Sequence, residues 1–386
     1  METLAAVMTG SGTSAIGTLE VFGPEAYNIL SRIFTPCGPN PLDSKVGSIR
    51  IGTLHDDHRP IDQIALGCEG QHHWALHCHG NPLITEAAMA LLKAQGVTPA
   101  TAQDLRARKL SNENMPTCQQ EATLALAYCR TLLGARLLNH QRQSGLTHWA
   151  LTWQHNTLGC QQDLHSECRA ILAQSAIADQ ILSGVTVALI GPPNSGKSTL
   201  LNSLSGQDAA LVTDIRGTTR DWVEADCRTE HLALRLIDTA GLDTTLGRKH
   251  LDAESQRRTL DVMNRVQILL LVLDSTQPAD QIESHWFDDL PDIPCLTVLN
   301  KSDRPSQLNL KDLNLDPAFA ISISAKEQTG LTRLLDQIEC TLNIKDFDLI
   351  QPLCITSRQQ EGVRQILAAP TMTQAQCSLK FLLDGK

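Results

Sequence analysis

Apolar positions change their spacing along the chain, and these changes divide it into regions. Near the N-terminus, short apolar segments between turn residues predict strands at 16–22, 47–53, 63–67 and 73–78. Helical spacing in the same region predicts helices at 24–34 and 85–95. In the next region the spacing is helical throughout, and it predicts helices at 119–139, 146–158 and 166–182.

Strand and helix patterns alternate from residue 185 to residue 343, as they do in a parallel α/β sheet. The strands predicted at 266–273 and 293–299 are almost wholly apolar, which is typical of a sheet covered on both faces. Helices are predicted again at 357–367 and 374–383. Helical segments thus flank the α/β region on both sides, so we expect an α/β domain inserted into a helical one.

The segment from Val185 to Thr199 is a strand-like apolar run followed by G-x-x-x-x-G-K-S at 191–198. The glycines let the backbone curl so that successive N–H groups face a bound phosphate, and the positive end of the following helix adds to that field. Lys197 is placed to reach the β- and γ-phosphates, and the Ser198 hydroxyl to bind Mg²⁺. A strand entering a helix is the context that favours this phosphate-binding loop over a simple Gly/Pro turn.

Four further motifs follow in the order found in guanine-nucleotide-binding domains: G-T-T-R-D at 217–221, D-T-A-G at 238–241, N-K-S-D at 300–303 and S-A-K at 324–326. In an N-K-x-D motif the aspartate, here Asp303, accepts hydrogen bonds from guanine N1 and N2. Adenine lacks that pair of donors, so the sequence predicts GTP rather than ATP. The predicted GTP-binding residues are Asn194, Ser195, Gly196, Lys197, Ser198, Thr199, Thr213, Asp214, Ile215, Arg216, Gly217, Thr218, Thr219, Asp238, Thr239, Ala240, Gly241, Asn300, Lys301, Asp303, Ser324, Ala325 and Lys326.

The predicted fold class is therefore α/β. A P-loop GTPase domain is inserted into a helical domain, and a small α/β N-terminal domain precedes both. The predicted boundaries are 1–112 for the N-terminal domain, 113–183 and 346–386 for the two parts of the helical domain, and 184–345 for the GTPase domain.

Composition narrows the functional classes. The chain has 386 residues, 42% of them hydrophobic and 19% charged, so it is globular and large enough for two or three domains. A net charge of −10 argues against a broadly basic surface that coats nucleic acid, although not against a local site. The 12 cysteines include no C-x-x-C pair, which is typical of a reducing compartment. Without a signal or membrane-spanning pattern, the expectation is a cytoplasmic protein with no membrane partner.

A cluster of histidines and a cysteine at 72, 73 and 77–79 raises the possibility of a metal site. In a strand, His77 and His79 share a face. No second ligand cluster and no carboxylate complete a known spacing, so a partly exposed polar strand edge is the favoured interpretation.

The motifs resemble those of the tRNA modification GTPases of the MnmE or TrmE family. The resemblance rests on the P-loop form with Pro193 and Asn194, the switch sequence D-I-R-G-T-T-R-D at 214–221, and D-T-A-G-L at 238–242. The domain order and the C-terminal Gly385-Lys386 are also similar to the family pattern. The chain is shorter than the family in both helical parts, so the resemblance implies a divergent and shortened member.

The resemblance implies a set of ions and partners. Mg²⁺ would be held by Ser198 and Thr219, and K⁺ by Asn194, Thr213, Ile215 and Thr218. Leu242 stands where many GTPases have a glutamine that orients water, so K⁺ would supply charge stabilisation instead. The implied partners are a second copy through the N-terminal domain, with nucleotide-dependent pairing of GTPase domains, a flavoprotein and tRNA.

Departures from the family pattern place folate binding in question. The family's early L-R-I-S-G, whose arginine contacts a folate, is L-E-V-F-G at 19–23, so Glu20 has the opposite charge. The family's C-x-G-K terminus is L-D-G-K at 383–386, which lacks the cysteine. Formyl-tetrahydrofolate is therefore a doubtful cofactor.

The catalytic carboxylate that the family places after D-T-A-G maps to either Asp252 or Glu254. Each is able to orient a water, and the alternative is that both belong to the solvated start of a helix. Arg216 and Arg220 are alternative sources of positive charge, as arginine fingers.

Four functional hypotheses remain. The first is a K⁺-stimulated GTPase in tRNA wobble-uridine modification, and the second is a regulatory or assembly GTPase that has lost folate binding. A ribosome-assembly GTPase similar to Era or Der is less favoured because no KH-type G-x-x-G module follows and there is no second P-loop. A nucleotide-binding scaffold without catalysis remains if neither carboxylate acts.

Overall fold

In the computed structural model the chain divides into two units, Met1–Met115 and Pro116–Lys386. The structure describes residues 2–10, 12–57, 59–112, 115–155, 160–206, 223–238, 265–282, 293–316 and 319–385. Each unit contains a sheet of its own.

The first unit is a sheet with helices packed on it. Its strands are β1 Leu4–Val7, β2 Ile16–Phe22, β3 Phe34–Pro36, β4 Ile49–Asp56, β5 Arg59–Gly70, β6 His73–His79 and β7 Thr98–Pro99. They lie in the order β3-β4-β5-β6-β2-β1-β7, and all neighbours pair antiparallel except β1 and β7. The helices are α1 Ala26–Ile33, α2 Pro82–Ala94 and α3 Ala102–Ser111.

Alternation along β2 separates the two faces of this sheet. Leu19 and Val21 are buried in a core with α1 and α2, whereas Glu20 points to the opposite face. The predicted strands and helices of this region are confirmed in type, but β5 extends well beyond the predicted 63–67 because it pairs with both β4 and β6. The apolar pattern did not predict the short strands β1, β3 and β7, nor helix α3.

Helices from two separate parts of the chain form one core in the second unit. They are α4 Thr117–Leu126, α5 Leu132–Gln143, α6 Gly145–His155 and α7 Gln161–Ser183 on the N-terminal side of the GTPase region. Helices Ser357–Ala368 and Met372–Asp384 lie on its C-terminal side. Leu146 and Leu164 from the first group share a buried cluster with Val363 and Leu379 from the second. The expected insertion of the GTPase domain into a helical domain is confirmed.

The single helix predicted at 119–139 is wrong, because the structure has two helices there. Thr131 has an extended backbone, and its side chain accepts a hydrogen bond from the Gly134 N–H, which caps a new helix. Leu126 and Leu133 keep helical spacing across the break, so apolar periodicity alone does not detect it.

The GTPase region contains the second sheet. Its strands are β8 Val185–Ile190, β9 Val223–Arg228, β10 Ala233–Asp238, β11 Ile268–Asp274, β12 Cys295–Asn300 and β13 Ala320–Ser322, in the order β13-β12-β11-β8-β10-β9. The helices described here are α8 Lys197–Ser205 and α9 Leu331–Thr341, with 3₁₀ turns at Ala279–Gln281 and Leu310–Leu313, so the helices after the GTPase region become α10 and α11. All strand pairs are parallel except β9 with β10.

Strand β11 is buried along its whole length, as its apolar sequence predicted. Leu270 and Val272 enter one core, and Leu269 and Leu271 enter the core on the other face. Because the central strands are parallel, their carboxyl ends lie at one edge of the sheet. That edge carries the nucleotide-binding motifs.

Candidate nucleotide-binding site

The P-loop, residues 191–198, curls between β8 and α8. Gly191 and Gly196 have φ values of 141° and 97°, and Asn194 has a φ of 62°. A Cβ at Gly191 would collide with the Val272 carbonyl, and one at Gly196 with the Asn300 amide. Glycine is therefore needed at both positions for backbone conformation and for close approach.

Lys197 lies inside this curl. It is 6% exposed, and its Nζ donates to the carbonyls of Gly191 at 2.7 Å and Pro192 at 3.1 Å. The ammonium group therefore sits beside the first residues of α8, where its charge adds to the positive end of the helix. This arrangement suits a bound phosphate.

Ser198 and Asp238 come together as a candidate Mg²⁺ site. The Ser198 hydroxyl donates to Asp238 Oδ2 at 2.5 Å, and Asp238 ends the buried strand β10. A hydroxyl and a carboxylate oxygen are the hard ligands that Mg²⁺ takes beside nucleotide phosphates. The residues described here fit the ion, and the chemistry it supplies when bound is charge neutralisation on the phosphates.

The guanine-recognition loop, residues 300–303, is tied to the P-loop and to the segment at 324–326. Asn300 Nδ2 donates to the Ser195 carbonyl at 2.9 Å, and Asn300 Oδ1 accepts from the Ala325 N–H at 3.0 Å. One buried amide thus fixes three of the predicted nucleotide-binding segments relative to one another.

Asp303 is held as a charged acceptor. Its Oδ1 accepts from the Ser324 hydroxyl at 2.6 Å, and this hydrogen bond lowers the pKa of the Asp303 carboxyl below its usual value. An ionised carboxylate is what recognition of paired N–H donors requires. Lys326, by contrast, is an exposed side chain that pairs with Glu327 at 3.2 Å.

One residue that the motifs did not include also belongs to the site. Asp274, the last residue of β11, is nearly buried and pairs with Lys301 Nζ at 2.6 Å. The sequence signal was a lone carboxylate directly after eight uncharged residues, 266–273.

Several predicted residues lie outside the described residues, and the structure therefore does not place them. These are Thr213, Asp214, Ile215, Arg216, Gly217, Thr218, Thr219, Arg220, Thr239, Ala240, Gly241, Leu242, Asp252 and Glu254. The predicted residues that the structure does bring together at the sheet edge are Asn194, Ser195, Gly196, Lys197, Ser198, Asp238, Asn300, Lys301, Asp303, Ser324 and Ala325. Thr199 is exposed in the first turn of α8, and the Ser203 hydroxyl donates to its carbonyl.

The histidine cluster of the first unit is dispersed among separate partners. His77 Nδ1 lies 3.1 Å from the Thr18 hydroxyl, and His79 Nδ1 lies 2.7 Å from Asp62 Oδ1. Within the described part of the chain, no three His, Cys, Asp or Glu side chains are grouped as metal ligands would be.

Glu20, His73 and Lys109 form an ion cluster on the face of the first sheet opposite its core with α1 and α2. Lys109 Nζ and His73 Nε2 each lie 2.8 Å from Glu20 Oε2. Burial alone would raise the pKa of Glu20, but the hydrogen bonds from His73 and Lys109 lower it to about 2. The carboxylate is therefore ionised at neutral pH and is already paired within its own unit.

None of the helices that the structure describes is long and apolar enough to cross a membrane.

Comparison with known proteins supports the nucleotide site. Residues 186–301 match the family model described as 50S ribosome-binding GTPase. The tRNA modification GTPase MnmE of Bacteroides thetaiotaomicron is 28% identical over 85% of this chain and 79% of its own length. The protein of the same name from Endomicrobium trichonymphae is 29% identical over 87% of this chain and 81% of its own length. The protein of that name from Flavobacterium psychrophilum is 24% identical over 95% of this chain and 87% of its own length.

Similarity to solved structures covers a smaller part of the chain. The G domain of the Thermotoga maritima FeoB iron transporter is 23% identical over 41% of this chain and 98% of its own, with a TM-score of 0.31. Aquifex aeolicus Era bound to GDP and aluminium fluoride is 20% identical over 50% of this chain and 70% of its own, also with a TM-score of 0.31.

The P-loop and the guanine-recognition loop lie within or beside the matched segment, and the MnmE relatives extend the similarity across both units. The chain is thus a GTP-binding, GTP-hydrolysing enzyme that is similar over most of its length to proteins named tRNA modification GTPase MnmE.

Proposed function

We propose that this protein is a K⁺-stimulated GTPase that acts in tRNA wobble-uridine modification together with a flavoprotein. The observation that carries the proposal is similarity to curated tRNA modification GTPases over 85–95% of the chain, combined with the joined P-loop and guanine-recognition loop. A cytoplasmic location and the domain boundaries 1–112, 113–183, 184–345 and 346–386 are parts of this proposal.

The proposed metal sites extend from the described residues to the switch segment. Mg²⁺ is assigned to Ser198 and Thr219, and the contact between Ser198 and Asp238 supports it. K⁺ is assigned to Asn194, Thr213, Ile215 and Thr218. Its support is the left-handed backbone of Asn194, an exposed residue at the rim of the P-loop.

The catalytic step is assigned to water activated by Asp252 or Glu254, with K⁺ supplying charge that a glutamine or an arginine supplies in other GTPases. The test is GTP turnover in K⁺, Na⁺ and Rb⁺ for the wild type, Asn194→Ala and Arg216→Ala. We expect K⁺ and Rb⁺ to stimulate, Na⁺ to fail, and Asn194→Ala to lose the stimulation. Equal rates in K⁺ and Na⁺ would contradict the cation model, and collapse in Arg216→Ala with K⁺ dependence intact would indicate an arginine finger.

Self-association through the first unit is a further part of the proposal. Ile49 and Ile51 on strand β4 are 62% and 59% exposed and lie on the same face of the sheet. Exposed aliphatic residues grouped on one sheet face are typical of a surface that another chain covers. Analytical ultracentrifugation of the wild type and of Ile49→Lys tests this, and the variant is expected to dissociate.

The second candidate is a regulatory or assembly GTPase that has lost folate binding. The observation in its favour is the ion cluster, since Glu20 stands where the family has a folate-contacting arginine and is occupied by His73 and Lys109. A folate tail carries carboxylates, which an anionic Glu20 repels. Calorimetry with formyl-tetrahydrofolate discriminates the two candidates, because tight binding favours the first and excludes the second.

A further inference from the structure

Asp274 occupies a fixed place beside the guanine-recognition loop. Strands β11 and β12 are parallel, and their register pairs Asp274 with Asn300. Asp274 Oδ1 accepts from the Thr276 N–H at 3.0 Å and from the Thr276 hydroxyl at 2.7 Å. Its other oxygen, Oδ2, accepts from Lys301 Nζ at 2.6 Å, so the carboxylate joins its own loop to the next one.

Lys301 continues the chain of contacts to the P-loop. Its Nζ also donates to the Asn194 carbonyl at 2.9 Å, while Asn300 Nδ2 donates to the neighbouring carbonyl of Ser195. Lys301 and Asn194 both have positive φ values, 65° and 62°. Such backbone is unfavourable for residues other than glycine and persists where the surroundings hold it.

We propose that Asp274 is a positioning residue for GTP, because it holds the Lys301 ammonium on the Asn194 carbonyl and so joins the guanine-recognition loop to the P-loop. It is a side chain that the nucleotide-binding motifs do not include. The inference deepens the proposed function and rests on it, since the residue acts on the same site.

The charge state of Asp274 suits this role. Burial acts to raise its pKa, but the hydrogen bonds from Lys301 and Thr276 outweigh it and keep the carboxyl below its usual pKa. The contact is therefore a charge-assisted hydrogen bond at neutral pH, stronger than one between neutral groups.

The consequence for K⁺ follows from Asn194. Lys301 holds the backbone of the residue whose side chain is the proposed K⁺ ligand. Loss of the Asp274 carboxylate therefore weakens GTP binding and also raises the K⁺ concentration needed for half-maximal turnover. A purely structural role would lower the unfolding temperature without this joint change.

The central variant is Asp274→Asn in the full chain, with GTP affinity measured by a fluorescent GTP analogue. The side-chain oxygen of the new asparagine still accepts hydrogen bonds from Thr276. Its NH₂ group, which is a donor, then faces the Lys301 ammonium and cannot accept from it. We expect the Kd for GTP to rise about 10- to 100-fold, as loss of a hydrogen bond to a charged group implies.

Thr276→Val is the matched control, because it removes a hydrogen bond from the same carboxylate and leaves Lys301 paired. We expect its Kd for GTP to stay within about threefold of wild type, since it loses one ordinary hydrogen bond outside the nucleotide loops. Asp274→Glu keeps the charge and is expected to retain more affinity than Asp274→Asn at a similar unfolding temperature. Equal losses in the two Asp274 variants would overturn the proposal.

A double-mutant cycle with Lys301→Met tests the contact itself. Removing Asp274 should have almost no further effect once Lys301 is gone, whereas additive losses would overturn the proposal. The double variant lacks both charges, so the cycle stays informative if Asp274→Asn alone unfolds more easily. Wild-type protein that fails to bind GTP would refute the proposed function, while wild-type binding with unchanged Asp274→Asn affinity would refute only this inference.

Discussion

Two regions of the chain hold clustered charges, and the partners of those charges differ. In the second unit, Lys197 donates to two backbone carbonyls of the P-loop, and Lys301 donates to a third as well as to the Asp274 carboxylate, at the carboxyl edge of a parallel sheet. In the first unit, Glu20, His73 and Lys109 contact one another. The first arrangement shapes backbone around a ligand site, and the second satisfies its own charges. A cluster of charged residues therefore indicates a binding site only when the backbone around it is also arranged for a ligand.

The largest effect is expected from Lys197→Ala. This variant removes the buried ammonium group of the P-loop, and we expect GTP affinity to fall about 100-fold or more, because several charge-assisted contacts are lost together. Isothermal titration calorimetry measures the affinity. The matched control is Lys109→Ala, which removes a lysine of the ion cluster and should leave GTP affinity unchanged.

Comparable losses of GTP affinity in both lysine variants would contradict the claim that only the charges of the second unit serve a ligand site. A near-wild-type affinity in Lys197→Ala would also remove the phosphate-binding role of the P-loop lysine.

Asp303→Asn should change which base is bound. The ionised carboxylate, which the Ser324 hydroxyl supports, matches the two N–H donors of guanine. An amide offers one acceptor and one donor, so GTP affinity should fall about 10- to 100-fold while xanthine nucleotides gain. Competition between GTP, XTP and ATP for a fluorescent analogue measures the shift. Wild-type protein that binds ATP as tightly as GTP would contradict the guanine assignment.

The GTPase region was predictable because its motifs encode backbone shape locally. Gly191 and Gly196 stand where positive φ and close approach exclude a Cβ, so their spacing carries the loop geometry. Asp274 has no such spacing signature. Its role appears only when the register of β11 with β12 brings it beside Lys301.

The contacts of the first unit were less predictable because they, too, have no spacing signature in the sequence. Glu20 was visible as an unusual charge, but its partners lie far along the chain on β6 and α3, and no local pattern connects them. In the second unit, the break at Thr131 was hidden because apolar spacing continues across it, while the cap that divides the helices is a single polar side chain.

Glu20→Gln should destabilise the first unit and change its pH dependence. The pKa of Glu20 is lowered from 4.5 to about 2 in the folded protein, so the stabilisation is complete above pH 4.5. It is lost as the pH falls from 4.5 through 2, because the unfolded state then binds the proton more strongly. We expect a loss of about 1–3 kcal/mol at pH 7, allowing for partial solvent exposure.

Chemical unfolding between pH 2 and pH 7 checks this expectation. Glu86→Gln is the matched control, since Glu86 is exposed on α2 and the change should be nearly neutral. Equal pH dependence in wild type and Glu20→Gln would show that the ion cluster contributes no stability.

The smallest effect is expected from Arg130→Ala. This variant tests whether low solvent exposure accounts for the stabilisation that the ion cluster is expected to provide. Arg130 Nη2 lies 3.2 Å from Asp226 Oδ2, and the pair joins the turn after α4 to strand β9 within the second unit. The two side chains are 30% and 40% exposed, against 18% for Glu20, so water and salt screen them more strongly. We expect a loss of about 0.2–1 kcal/mol that shrinks further at high ionic strength, whereas the loss in Glu20→Gln should persist. Denaturant unfolding of both variants at low and high salt measures the contrast. If Arg130→Ala costs as much as Glu20→Gln and resists salt, solvent exposure is not what separates the two ion pairs.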